Sequence, residues 1–110
     1  MTKSAMKTAE DKVVDGIIRT ALAADHPYKI GQAYLFRTVT FAVSGVVDRV
    51  TSHEIVVTQA AWVADTGRFN EALRTGEFLE VEAADDGEVI VGRGAIVDAW
   101  PIAKAPRETV

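Results

Sequence analysis

The feature of this chain best suited to chemistry is a guanidinium held between two glycines. Arg93 stands in Gly92-Arg93-Gly94, flanked by two apolar runs, Val89 to Val91 and Ala95 to Val97, and Pro101 closes the stretch. Short β-branched runs bounded by glycine and proline predict buried strands rather than helix. The glycines permit a tight turn or a close backbone approach, which fixes where the guanidinium points. A charge set between two apolar strands needs a partner, because burying it alone is costly. That partner is a carboxylate of the chain, a neighbouring subunit or an anionic ligand, unless the arginine is simply solvated on a hairpin turn.

A second place where chemistry could sit is Asp65-Thr66-Gly67-Arg68. Asp65-Thr66-Gly67 can cap a short helix over Arg68 to Arg74, which Gly76 ends. The free backbone N–H groups of such a helix start, with Thr66 and Arg68 beside them, would make an anion cradle. The same Asp-Thr-Gly resembles the signature of retroviral-type aspartic proteases, which dimerise to share one proton between two carboxylates. An acidic strand, rather than a flap hairpin and a long loop, fills the stretch from Gly67 to Gly92, so that reading is a remote alternative. With no cysteine and only His26 and His53, the chain offers no convincing metal cluster, and no cofactor is expected.

The elements that must position these residues are bounded by composition. At 110 residues, 48% hydrophobic and 25% charged, the chain has the make-up of one soluble globular domain. No apolar run reaches the length of a membrane span and no secretory leader is apparent, so no membrane partner and a cytoplasmic location are expected, the host cytoplasm if a phage encodes it. The net charge of −4 argues against a protein that coats nucleic acid by bulk electrostatics. The charge is uneven: six acids and no base fall between Glu77 and Glu88, which leaves room for a local anion site elsewhere.

Residues 1–7 read as a weakly basic tail. Thr8-Ala9-Glu10-Asp11 has the form of a helix cap, and Val13, Ile17 and Ala21, with Val14, Ile18 and Leu22 alongside, lay an apolar stripe along a helix over 8–25 that Pro27 ends. From Gln32 the period becomes two. Apolar groups on both faces, from Ala33 to Val43, predict one long, buried or bent strand, with Arg37 at a bend or a subunit boundary. Ser44-Gly45 then reads as a turn, Val46 to Thr51 as a second strand, Ser52-His53 as a tight turn and Glu54 to Gln59 as a third strand. Strands one to three thus occupy 30–60, a helical insertion 61–76, strands four and five 77–102 and a tail 103–110.

A helix, a three-stranded meander and two further strands around a glycine-flanked turn give the element order of the Sm-like small barrel. The segment from Gly45 to Val57, with its polar turn Thr51-Ser52-His53-Glu54, resembles the first Sm motif, and Arg93-Gly94-Ala95-Ile96-Val97-Asp98-Ala99-Trp100-Pro101 resembles the second. The resemblance covers about residues 30 to 60 and 86 to 102. It implies a mainly β fold with an N-terminal helix: a five-stranded, strongly bent antiparallel Sm-like or SH3-like barrel with a helical insertion after strand three. It also implies a homo-oligomeric ring, expected to contain six subunits, in which the two motif turns form ligand pockets. Carried over, Ser52 and His53 take the first-turn positions and Arg93 and Gly94 the second. Thr51 stands where the family has aspartate and Glu54-Ile55 where many members have Met-Asn, which alters the base-reading part of the pocket.

Three functions from different classes follow. One is a non-enzymatic module holding RNA or a small nucleotide, cyclic ones included, in inter-subunit pockets, as a phage-type sequestering protein would. In that case an imidazole stacks on a base and a guanidinium grips phosphate. Another is a structural virion or assembly ring without ligand, in which Arg93 pairs with Asp48, Glu54 or Asp98 across a subunit contact. The third is the protease.

Overall fold

A computed structural model of the chain describes residues 25–85 and 87–108. The tail over 1–7 and all of the helix expected over 8–25 except Asp25 lie outside the described residues; Asp25 itself is a bend. What is described is mainly β: β1 (Ala33–Thr38), β2 (Ala42–Val50), β3 (Glu54–Asp65), the helix α1 (Phe69–Thr75), β4 (Glu80–Ala83), β5 (Val89–Gly92), a 3₁₀ turn (Arg93–Ala95) and β6 (Ile96–Pro101). All pairings are antiparallel. The sheet runs β4-β3-β2-β1-β6, and β5 also pairs with β3.

The long first strand expected from Gln32 is in fact two strands. The chain turns at Val39 and Thr40, where the Thr38 N–H donates to the Phe41 carbonyl at 2.8 Å and the Thr38 hydroxyl accepts from the Phe41 N–H at 3.1 Å. A threonine that bonds its own turn supplies the reversal that the period-two pattern hid. Ser44-Gly45, expected as a turn, instead lies inside β2. A Cβ on Gly45 would stand 2.9 Å from the Val57 side chain, so this glycine serves close approach of strands and not reversal.

The third strand is twice as long as expected, because 60–65 continues β3 instead of opening the insertion. Its first residues, Glu54 to Val57, pair with β5, and Ala61 to Asp65 pair with β4. Gln59, at φ 51°, marks the irregularity where one pairing gives way to the other. The sheet therefore has six strands rather than five. β5 and β6 do not pair with each other, and the sheet does not close on itself through hydrogen bonds. A three-residue turn nonetheless joins them, although one bonds to β3 and the other to β1. The sheet must therefore curl around the β1–β3 meander.

Both faces of β1 are covered, as its two-sided apolar pattern requires. Tyr34 and Phe36 join Val43, Val47, Ile55, Val57 and Val91 in one core cluster. Ala33 and Leu35 join Val63, Ala72, Phe78 and Ile102 in the other, against which Phe69 and Leu73 of α1 also pack. α1 is thus the cover of the second face. Gly76, in left-handed conformation at φ 75°, ends it with an N–H bond of 2.8 Å to the Ala72 carbonyl, as the sequence predicts.

Arg37 sits at a bend, where the β1–β6 register shifts after it. Directly opposite, Asp98 accepts from Arg37 Nε at 2.7 Å and from Nη2, and Trp100 Nε1 donates to Asp98 Oδ1 at 3.0 Å. The guanidinium also lies over the rings of Phe69 and Trp100, 5.6 and 5.9 Å from their centroids, so this cluster ties α1 to β6. The Arg37 hydrogen bonds, aided by the Trp100 N–H, hold the Asp98 carboxyl below the usual carboxylate range. A carboxylate depressed in the folded state adds stability above its unfolded pKa, near 4, and that stability is lost as pH falls through the folded value. Asp98→Asn is therefore expected to melt below the wild type at pH 7, with the gap closing as the pH falls below about 4. Melting curves whose gap stays the same as the solution is acidified below that point would rule this out.

Candidate functional site

The β2–β3 reversal is closed by Thr51. Its hydroxyl accepts from the backbone N–H of Glu54 at 3.0 Å and donates to the Glu54 carboxylate, while the Thr51 N–H donates to the Glu54 carbonyl at 2.9 Å. Ser52 and His53 form the tip of the turn, as the sequence predicts, with His53 exposed. β5 ends with Gly92 opposite Glu54, the first residue of β3. That register delivers the following residue, Arg93, to the tip.

The Arg93 N–H donates to the His53 carbonyl at 2.8 Å. Its Nη1 donates to the Thr51 carbonyl at 2.7 Å and to the Ser52 carbonyl at 3.3 Å, and its Nη2 to the Asp25 carbonyl at 3.1 Å. The structure thus brings together Ser52, His53, Arg93 and Gly94, which lie about 40 positions apart in sequence. His53 and Gly94 are exposed, whereas Ser52 and Arg93 are half-buried. The acids offered by the sequence as partners for Arg93 are otherwise engaged: Asp48 with Arg49, Glu54 with Thr51 and Asp98 with Arg37.

Thr66 and Arg68 are not part of this group. They sit past the far end of the twelve-residue β3, in a shallow cleft of about 250 Å³ shared with Glu71, Thr75 and Leu79. The cap expected there is not built. The helix starts at Phe69 with Arg68 as its cap residue, and among the described residues no side chain caps it. Asp65 Oδ1 instead accepts from the Gly67 N–H at 2.8 Å, and the Thr66 hydroxyl donates to the Gly67 carbonyl. The aspartate is spent on its own turn, which pulls Thr66 and Gly67 out of capping register.

One feature near Arg93 escaped the sequence reading. The segment before β1 crosses the turn pair and then lines a cleft of about 370 Å³ with Pro27, Tyr28, Lys29, Gln32 and Tyr34, faced by Ala99 and Pro101 of β6. Tyr28 meets Tyr34 edge-on at 5.6 Å between centroids and stacks on His26 at 5.9 Å. Burial pushes the Tyr28 phenol pKa up, and the Arg93 guanidinium pulls it down, which places that charge within electrostatic reach of the cleft. The signal available in the sequence is the aromatic and basic run His26-Pro27-Tyr28-Lys29, of which only Pro27, as a helix stop, enters the expectations above.

Among the described residues, no three acid or histidine side chains converge as a metal site would need, and no helix is long and apolar enough to cross a membrane. Comparison with family models, with curated proteins and with solved structures finds no match to this chain.

Proposed function

We propose that this chain is a non-enzymatic, Sm-like small-barrel subunit that forms a ring and binds RNA or a small nucleotide at the paired turns. The observation that carries this reading is the fastening of the 52–53 turn to the 93–94 turn by the Arg93 backbone and guanidinium. It sets an exposed imidazole, a serine hydroxyl and a cation side by side, which suits stacking on a base and contact with phosphate. The strand order supports it too, with β6 on β1 and β5 on β3 flanking a three-stranded meander. β5 and β6 each pair with one strand in the described chain. Ile90 and Val97 on them are about two-thirds exposed, a liability that edge-to-edge assembly would remove.

A structural ring without ligand is the second reading, favoured by the use of the Arg93 guanidinium on backbone carbonyls. Light scattering and calorimetric titration separate the two. The proposal expects a mass several times 11.9 kDa and saturable binding of a short oligoribonucleotide or a cyclic dinucleotide that His53→Ala weakens. A ring that binds neither probe leaves the structural reading, and a monomer of 11.9 kDa ends both.

A further inference from the structure

We infer that the cleft beside Tyr28 is a nucleobase pocket, in which the ring of a nucleotide enters between the tyrosine pair and the Ala99–Pro101 wall while its phosphate meets Lys29. This rests on the nucleotide-binding reading above and adds a second place for a base, apart from the His53 imidazole of the paired turns. At about 370 Å³ the cleft is in the size range of small-molecule sites, and like them it is mostly apolar with few polar groups. The rings of Tyr28 and Tyr34, at 86° to each other, and the flat wall of Ala99 and Pro101 suit a planar heterocycle.

The polar groups are held in place. Gln32 Nε2 donates to the carbonyls of Ala33 at 2.8 Å and Ile102 at 3.0 Å, which fixes the amide with its oxygen as an acceptor. The Tyr34 hydroxyl accepts the Lys29 N–H at 2.9 Å and so keeps its own proton to donate. An acceptor and a donor in one aromatic cleft match the mixed edge of a base. The charge points the same way. Among the described residues, Lys29 is the charged residue of the lining and no carboxylate joins it, in a chain whose net charge is −4. The Arg93 guanidinium adds positive field at Tyr28. An anionic, planar ligand is therefore favoured over a cation or a neutral peptide.

The experiment is calorimetric titration of the full chain with adenosine 5′-monophosphate, uridine 5′-monophosphate and ribose 5-phosphate, with a proline-rich decapeptide as the competing class. Both nucleotides are expected to bind at least about tenfold more tightly than ribose 5-phosphate, because only they can stack. Tyr28→Phe should bind as the wild type does, whereas Tyr28→Ala should bind about tenfold more weakly. Lys29→Glu changes an exposed side chain, so it tests the pocket without endangering the core, and it should weaken both nucleotides while leaving the melting temperature unchanged. Equal binding of ribose 5-phosphate and the nucleotides, wild-type affinity in Lys29→Glu, or binding of the peptide alone would each overturn the pocket. Nucleotide binding that His53→Ala abolishes and Lys29→Glu leaves intact would overturn the pocket but keep the paired-turn reading. A wild type that binds neither mononucleotide overturns the pocket, and one that also binds neither a short oligoribonucleotide nor a cyclic dinucleotide overturns both.

Discussion

Arg93→Ala is expected to lower the melting temperature by about 10–20 °C and, in the proposed ring, to weaken assembly with it. Among the described residues, the guanidinium donates to the backbone carbonyls of Asp25, Thr51 and Ser52, which lie on two separate segments. A hydrogen bond from a charged donor contributes about 1.5–3 kcal/mol, and the half-buried setting discounts each one. A total of about 2–4 kcal/mol follows, and a domain this size loses roughly 4–8 °C for each of them. Arg93→Lys should recover less than half, since an ammonium cannot reproduce a planar fork that serves several carbonyls. Thermal unfolding with light scattering on both variants checks this. An alanine variant that melts within about 2 °C of the wild type shows that these bonds do not hold the turns together.

Gly76→Ala is expected to cost about 2–5 kcal/mol, part from the backbone and part from collision. The left-handed φ of 75° disfavours any residue with a Cβ. That Cβ would also meet Lys104 Cγ at 2.5 Å, the Lys104 carbonyl oxygen at 2.8 Å and its nitrogen at 3.0 Å. The side chain can swing away, but the backbone at 104 is held by its neighbours. Ala103 donates to the Leu73 carbonyl and Ile102 to that of Ala33. Relief must therefore come from lifting α1 off the second core, where Ala72 and Phe78 are fully buried. Urea unfolding should show a lower midpoint at unchanged slope. Gly94→Ala is the control, because a Cβ there meets nothing within 4 Å, and equal midpoints for the two variants would refute the account.

How far the sequence could be read follows from which signals were local. The Ser52-His53 tip, the Gly76 helix end and the strands on either side of Gly92-Arg93-Gly94 each depend on residues within a few positions and form where expected. Those two strands are, however, half-exposed rather than buried, and Ala95 belongs to the 3₁₀ turn. What failed depended on partners far away. Gly45 looked like a turn because nothing nearby announces that Val57 overhangs it. β3 looked short because its second half is specified by β4, which follows only after a helix. The Asp65 cap failed through competition between two local bonds, which composition does not rank. Of the candidate site, the juxtaposition of 52–53 with 93–94 came from a motif resemblance. The cleft beside Tyr28 needed β6 for its second wall, and no spacing rule links Pro101 to Pro27.

The pairing of β1 with β6 also orders events in time. Tyr34 pairs with Pro101, and Arg37 with Asp98 across 61 positions. During synthesis the chain emerges from its N-terminal end, so the meander can form while β6 does not yet exist. At ordinary translation rates that interval lasts on the order of several seconds. Throughout it one edge of β1 presents unpaired amides and carbonyls beside Tyr34 and Phe36, with Trp100 not yet there to cover the other face. A nascent chain of this kind offers a ready template to any extended segment nearby, including β6 of a finished copy. Pairing with another polypeptide on the same polysome would thus compete with completion of each chain by its own last strand.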